Sequence, residues 1–176
     1  MTEAVLKTER LMLYPLNLKE LLDIQAGHPF VQFRQYGVTQ GLVTEPVLNA
    51  GEAKIVRMGL TRQSEHPWHT YWLMVLAEQG MGIGMAGFKG TPNAAGEAEI
   101  GYGIVPAYEG QGYTTEAVAV LVQWAFSDPR CRRIVAETLP ENLGSMRVLE
   151  KNRFQPYGKR DGFLLWRLER SPEIHG

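Results

Sequence analysis

Residues 99–117 read EIGYGIVPAYEGQGYTTEA, and this stretch decides which fold the chain can adopt. A strand pattern passes through a glycine-bearing turn into a run whose apolar residues recur at helical spacing. The free N–H groups and the dipole of the helix start then converge beside Gly110 and Gly112. The stretch therefore predicts a nest for a phosphate or pyrophosphate, with an ordinary glycine-rich helix cap as the alternative.

The strand before this turn has small residues on only one of its faces. Strand periodicity places Glu99, Gly101 and Gly103 together, opposite a row of apolar side chains. Two glycines in the middle of a strand indicate that something approaches the backbone closely. We expect a slot here, with the Glu99 carboxylate at its inner end.

The turn is typical of a site that binds phosphate without a metal. It is not a P-loop, because no Gly-Lys-Ser/Thr follows it. Binding by backbone amides alone suits a cofactor that is held by its diphosphate while chemistry occurs far away, and coenzyme A is such a cofactor. No two histidines have the helical spacing of metal ligands, so we predict no metal site.

Three further glycines, Gly82, Gly84 and Gly87, spell G-x-G-x-x-G. A dinucleotide-binding fingerprint leads from a strand into a helix, whereas this run continues into Phe88-Lys89-Gly90-Thr91-Pro92, which does not open a helix. We interpret these glycines as part of a hairpin and its return strand.

The remaining periodicity predicts an α/β (α+β) fold built on a mixed central sheet. It has about six to seven strands, an antiparallel N-terminal meander and helices on both faces. The predicted strands are 11–15, 71–76, 83–88, 97–105, 134–139, 154–158 and 163–168. The predicted helices are a short one capped by Asn17 and closed by Gly27, one over 46–62, one containing 117–125, and one from Asn142 through Lys151.

Bulk composition favours one domain over residues 1–176. The formal net charge of −1 provides no global field that would recruit nucleic acid or an acidic membrane. Cys131 is the single cysteine, which excludes an internal disulfide, and we interpret it as an ordinary loop residue, with a nucleophile as the alternative. The start lacks the pattern of a secretory signal, and no stretch approaches the roughly 18 apolar residues of a membrane span, so we expect a cytoplasmic protein.

Two motifs resemble those of the GNAT (Gcn5-related) N-acetyltransferases, especially the branch that is similar to the ribosomal-protein N-terminal acetyltransferases. Residues 108–117 match its Y-R-G-x-G-Y-A-T-E-A, and residues 142–154 match N-x-x-S-x-R-V-L-E-K-x-G-F. The opening Thr8-Glu9-Arg10-Leu11 also resembles the start of that branch. The resemblance implies a GNAT fold and an enzyme that moves an acetyl group from acetyl-CoA onto a primary amine.

The resemblance also implies which residues bind the cofactor. We expect the N–H groups near Ile104 and Val105 to bind the pantetheine arm and to polarise the carbonyl. Asn142 is expected to bond the pantetheine amide and to cap its helix, and Ser145 to contact the sulfur or supply its proton; for Ser145 a purely capping role is the alternative. The residues expected to bind the phosphates are Gly110, Gln111, Gly112, Tyr113, Thr114 and Thr115.

Catalysis by direct attack requires a neutral amine. At pH 7 about one α-amino group in seven is neutral, against about one lysine in 2,500. Glu99 is the candidate base, acting through water, and a structural carboxylate is the alternative. Glu137 on the next strand is the rival base. Many relatives carry a tyrosine acid at the position of Leu149, so this chain lacks that acid.

Two departures from the family pattern affect the predicted site. Glu109 stands where Gln or Arg is usual, and a carboxylate beside a pyrophosphate is unfavourable. Arg153 replaces a glycine at the end of the second motif, so Asn152 or Arg153 must adopt a left-handed or otherwise adapted conformation.

The acceptor is the least determined part of the function. A peptide or protein N-terminus or a small amine is expected, with a monomer or homodimer as the assembly. The alternatives are a longer donor such as succinyl-CoA, which would need a wider slot with a cation at its end, and a non-catalytic CoA-binding or regulatory module. The residues considered for an acceptor pocket, or else for ordinary loop packing, are His28, Phe30, Phe33, Tyr36, Trp68 and His69.

Overall fold

A computed structural model describes residues 5–28 and 37–171 of the protein. Its strands are β1 (Leu6–Lys7), β2 (Leu11–Pro15), β3 (Gly37–Val38), β4 (Trp72–Leu76), β5 (Met81–Phe88), β6 (Glu97–Ile104), β7 (Arg133–Thr138), β8 (Gln155–Arg160) and β9 (Phe163–Glu169). Its helices are α1 (Leu18–Gln25), α2 (Glu45–Leu60), α3 (His66–His69), α4 (Tyr113–Ser127) and α5 (Leu143–Lys151).

The strands form one mixed sheet in the order β1-β2-β4-β5-β6-β7-β9-β8, with β3 paired to β5. The β4-β5-β6 meander is antiparallel and β6 pairs with β7 in parallel, as the sequence predicts. The predicted count of six to seven strands is too low, because the described residues form nine. The two additional strands, β1 and β3, are two residues long, which is too short for a periodic pattern.

Local signals explain where the helices begin and end. Asn17 caps α1 in a capping box with Glu20, and Gly27 follows the helix with a φ of 71°. Pro46 lies in the first turn of α2, where a missing N–H is harmless. The three glycines of the G-x-G-x-x-G run all lie within β5, which excludes the strand-to-helix turn of a dinucleotide site.

The core lies on both faces of the sheet, and β4 shows why. Trp72 and Met74 pack on the face covered by α4, whereas Leu73 and Val75 pack on the face covered by α1 and α2. All four side chains are buried, since a strand with helices on both sides has no solvent face. The predicted helices on both faces are confirmed. No helix among the described residues is long and apolar enough to cross a membrane.

Candidate active site

A gap opens in the middle of the sheet where β6 and β7 separate. They pair only at Glu97↔Arg133, Ala98↔Ile134 and Glu99↔Val135. Beyond Glu99, β6 continues beside β5 as far as Ile104, while β7 continues beside β9. A Cβ added at Gly101 or Gly103 would meet no atom within 4 Å, so the expected slot lies along this segment.

The backbone hydrogen bonds show which amides face the gap. The N–H of Val105 donates to the carbonyl of Ile83 at 2.9 Å, and the N–H of Lys89 donates to the carbonyl of Glu99 at 2.9 Å. In an antiparallel ladder such pairs alternate, so the backbone groups of Tyr102 and Ile104 turn away from β5, towards the gap. Of the two amides predicted to bind the pantetheine arm, only that of Ile104 faces the gap, because that of Val105 is bonded within the sheet.

The predicted phosphate nest lies at the start of α4. Gly110 and Gly112 have φ values of 71° and 85°, in the left-handed region that favours glycine. Gly112 is the N-cap of α4, and its carbonyl accepts the first helical hydrogen bond from Glu116 N–H at 3.1 Å. The amides of residues 113–115 precede that bond and have no intrahelical partner. They are therefore free to point at an anion beside the positive end of the helix dipole.

A cavity of about 760 Å³ joins this nest to the gap and to the start of α5. Its volume is within the range of small-molecule and cofactor sites. Gln111 does not line it, and its side chain donates to the carbonyl of Ala107 at 3.3 Å. Val105 lies in a second cavity, described below. The predicted cofactor residues that line the first cavity are Ile104, Gly110, Gly112, Tyr113, Thr114, Thr115, Asn142 and Ser145.

Charged side chains at this cavity include two cations that sequence reasoning assigned no role. Arg147 and Lys151 lie one turn apart on α5 and both line the cavity, as do Glu109 and Glu141. The i,i+4 spacing of Arg147 and Lys151 places both side chains on one helix face and could have indicated them from the sequence. Glu109 does line the cavity, and the charges of Glu109 and Glu141 are opposed there by the two cations of α5.

Ser145 is held by two neighbours, one of which the sequence did not indicate. Asn142 caps α5 by accepting the Ser145 N–H at 3.0 Å, as predicted. The hydroxyl of Tyr102 lies 2.9 Å from Ser145 Oγ and donates to the Ser145 carbonyl at 3.2 Å, bridging β6 and α5. Burial raises the pKa of Tyr102 to about 12, so the phenol keeps its proton at neutral pH.

The two candidate bases are both engaged in ion pairs. Glu99 binds Lys89 across the β5–β6 hairpin, and Glu137 on β7 binds Arg160 on β8, across the intervening strand β9. Neither carboxylate lines the cofactor cavity or the second cavity. Glu99 lies at the closed end of the gap, two residues from Gly101 on the same strand face, which is about 7 Å.

A second cavity, of about 470 Å³, lies on the other side of β6, beneath α2. It shares Tyr102, Gly103 and Ile104 with the cofactor cavity, so the two spaces meet beside the gap. Most of its lining is apolar, and its charged side chains are Lys54 and Lys89. Among the described residues, no carboxylate lines it.

Three of the residues considered for an acceptor pocket are described by the structure, and they lie away from both cavities. Trp68 packs in the core, with its ring centroid 4.9 Å from that of Phe88. His28, Trp68 and His69 line neither cavity, which agrees with ordinary packing. Phe30, Phe33 and Tyr36 lie outside the described residues.

Two other chemistries receive little support from the described part of the chain. Cys131 is buried, and burial raises the pKa of its thiol to about 11, which makes it inert as a nucleophile. Residues 5–28 and 37–171 hold no cluster of His, Cys, Asp and Glu that could bind a metal ion.

Sequence comparisons with known proteins point to acetyltransferases. The sequence model of the "Acetyltransferase (GNAT) domain" matches residues 10–155. "Probable N-acetyltransferase YjcK" of Bacillus subtilis is 49% identical over 61 residues, which are 35% of this chain and 34% of that protein. "Uncharacterized N-acetyltransferase p20" of Bacillus licheniformis is 28% identical over 153 residues, covering 87% of this chain and 83% of that protein.

A solved structure shares the fold. Mycobacterium smegmatis RimJ, in complex with CoA-disulfide, superimposes with a TM-score of 0.62 at 19% identity. The match covers 95% of this chain and 86% of that one. The fold expected from the two motifs is confirmed.

Proposed function

The chain belongs to the acetyltransferase (GNAT) domain family, and we propose that it transfers an acetyl group from acetyl-CoA to the amino terminus of a peptide or protein. The proposal rests on two cavities that meet at Tyr102, Gly103 and Ile104, beside the gap between β6 and β7. One cavity has the phosphate nest and the other is open to an acceptor. A thioester held in the gap would be within reach of an amine that enters from the second cavity.

In this proposal backbone amides bind the cofactor, and two cations add electrostatic attraction. The amides of residues 113–115 would bind the diphosphate, and Arg147 and Lys151 would lie beside its charge. The Ile104 amide faces the gap and would bond the pantetheine arm. Acetyl-CoA supplies the activated acyl group, and no metal ion is required for an amine to attack it.

The acceptor cavity itself favours the neutral amine. An ammonium group that enters it meets the charge of Lys54, whereas the charge of Lys89 is paired with Glu99, and among the described residues no carboxylate lines the cavity. Nearby positive charge lowers the pKa of a bound ammonium, so its proton is lost more easily. The pKa of an α-amino group needs to fall only slightly for this, whereas the pKa of a lysine side chain needs to fall by about three. We therefore favour an N-terminal acceptor over a lysine acceptor.

The proton leaves through water towards Glu99 in this mechanism. Glu99 lies at the closed end of the gap and is bound to Lys89, which lines the acceptor cavity. A chain of water molecules along the glycine face of β6 would join the two positions. Glu137, paired with Arg160 on the far side of β7, is the less favourable base.

The departing thiolate is protonated by a two-residue relay. Ser145 Oγ lines the cofactor cavity and lies 2.9 Å from the Tyr102 hydroxyl, which also lines it. Tyr102 keeps its proton at neutral pH, so it would pass that proton to Ser145 Oγ as Ser145 gives its own to sulfur, and the phenolate would then take a proton from solvent in the cavity. This relay takes the place of the tyrosine acid whose position is occupied by Leu149.

Thiol release from acetyl-CoA, measured with a panel of amines, tests the function. Peptides with different N-terminal residues should release thiol, whereas the same peptides with a blocked N-terminus should not. Lysine side chains, polyamines and aminoglycosides serve as competing acceptors in the same assay. Cofactor binding without thiol release for any amine would favour the non-catalytic module, for which the Glu109 carboxylate at the cofactor cavity is the supporting observation.

A further inference from the structure

Lys54 is a buried cation to which the proposed mechanism gives no bonded partner in the acceptor. It lies on α2 with only 7% of its surface exposed, and its ammonium lies 4.7 Å from the centre of the Tyr71 ring. Its Nζ donates to the carbonyls of Phe88 at 2.9 Å and Thr70 at 3.3 Å. Among residues 5–28 and 37–171, no carboxylate pairs with it.

Burying a charge in this way is unfavourable unless a counter-charge is available. Two carbonyls use two of the three N–H donors of the ammonium but do not neutralise it. Desolvation, reinforced by nearby Arg57 and Lys89, lowers the pKa of Lys54 to about 8. A methionine or leucine would fill the same space at lower cost, so the cation is better explained by a ligand that carries negative charge.

The surroundings of Lys54 match such a ligand. Lys54 and Lys89 line the same cavity, and the rest of its wall is mostly apolar. Charge–charge attraction is strong at Lys54 itself, because its buried side chain is screened by little water. A carboxylate that entered the cavity would also gain the third N–H donor of Lys54.

The position of Lys54 sets the length of the ligand. Its Nζ binds the carbonyl of Phe88, which pairs with Ile100, whereas the two cavities meet around Gly103. Three residues along a strand correspond to about 10 Å. An α-amino acid is too short for this separation, since one carbon joins its two groups. A peptide with an acidic side chain near its N-terminus is long enough.

We propose that the second cavity binds a carboxylate of the acceptor at Lys54, so that the enzyme prefers peptides with Asp or Glu at position 2 or 3, counted from the acetylated N-terminal residue. This substrate class depends on the proposed function, because it assumes that the amine reacts beside Gly103. The dicarboxylic donor succinyl-CoA presents the same chemistry from the other side, but its acyl chain is shorter than the separation.

The test compares wild-type kcat/KM for matched peptides that carry Asp or Asn at position 2, 3 or 4. A charge-assisted hydrogen bond at Lys54 should favour the Asp peptide by about tenfold or more at one of the first two positions. Lys54→Gln, which keeps a hydrogen-bond donor but removes the charge, should bring the Asp/Asn ratio close to one. Equal kcat/KM for the Asp and Asn peptides in the wild type overturns the proposal.

Arg57→Gln is the matched control. It removes a cation one turn further along α2 that does not line the cavity, and its loss can only leave Lys54 more fully charged, so the Asp/Asn ratio should not fall. A ratio that falls equally in both variants would mean that general surface charge is responsible. If Lys54→Gln does not fold, the salt dependence of the wild-type Asp/Asn ratio is measured instead. A contact with the buried Lys54 should keep most of this preference at 1 M salt, and loss of the preference overturns the proposal.

Two further measurements separate the possible failures. Binding of the two acetylated peptides to the CoA-loaded protein reports on Lys54 even without turnover. If the Asp peptide binds more tightly but no thiol is released, the proposed function is rejected and the Lys54 subsite is retained. Succinyl-CoA with an Asn peptide is the last comparison. A Lys54-dependent preference for that donor over acetyl-CoA would assign the carboxylate to the donor and overturn the acceptor assignment.

Discussion

Removing the Tyr102 hydroxyl tests whether the Tyr102–Ser145 contact transfers a proton or only positions Ser145. The oxygens lie 2.9 Å apart, and the phenol is half-buried. A neutral hydrogen bond of this kind contributes about 1 kcal/mol, which corresponds to about fivefold in rate. A general acid contributes about 10²- to 10⁴-fold. The two roles therefore predict different losses for Tyr102→Phe.

A double-mutant cycle measures the coupling. We expect Tyr102→Phe and Ser145→Ala each to lower kcat by about 100-fold or more, with the double variant no worse than the more damaged single variant, because both remove one relay. Single-turnover thiol release gives kcat for the chemical step, and CoA binding should change by less than about fivefold. Tyr157→Phe, at an exposed residue of β8 that lines neither cavity, is the matched control and should leave kcat unchanged.

Two outcomes would refute the relay. A loss of only about fivefold for Tyr102→Phe would mean that the hydroxyl positions Ser145 and transfers no proton. Losses that multiply in the double variant would mean that the two groups act independently. Either outcome would leave the thiolate to be protonated by water.

Three further predictions concern the cofactor nest, its cations and the buried lysine. Gly112→Ala places a Cβ at a φ of 85° and 3.2 Å from Arg10 Nη2, so thermal unfolding should show a loss of about 1–2 kcal/mol and CoA should bind more weakly; unchanged CoA affinity would contradict the nest. Arg147→Gln and Lys151→Gln should each weaken CoA binding and reduce its salt dependence in titration calorimetry, whereas unaltered affinity would place both cations outside the site. Because the pKa of Lys54 falls from 10.5 to about 8 on folding, the unfolded chain binds more protons between those values, and the free energy of unfolding should rise with pH there. This gain in the free energy of unfolding, up to about 3 kcal/mol as measured by urea unfolding, should be absent in Lys54→Gln. The same pH dependence in both proteins would contradict the lowered pKa of Lys54.

The local parts of the fold could be predicted because their causes lie close together in the sequence. Asn142 and Ser145 are three residues apart, and their cap follows from the first turn of a helix. The predicted left-handed residue at the end of α5 is Arg153, with a φ of 65°. Its amide donates to the carbonyl of Glu150 at 2.9 Å, so the chain can turn there without a glycine.

The parts that sequence reasoning missed depend on contacts between distant residues. Tyr102 and Ser145 are 43 positions apart, and strand periodicity placed Tyr102 only on the apolar face of β6. Lys54 meets the carbonyl of Phe88 from 34 positions away, and a lysine on a helix ordinarily indicates a solvated face. The ion pair of Glu99 with Lys89 required the register of the β5–β6 hairpin, which the predicted strand bounds did not fix.

The separation of β6 and β7 also leaves the two halves of the sheet joined by few residue pairs. Only three residue pairs join the two strands, whereas six join β7 to β9, so the halves of the sheet can flex against each other at this line. An extended ligand bonded to the backbone of Tyr102 and Ile104 would act as a short additional strand and stiffen this junction. Binding would then slow amide hydrogen exchange at both flanking strands. The cofactor would therefore stabilise the fold mechanically in addition to reacting.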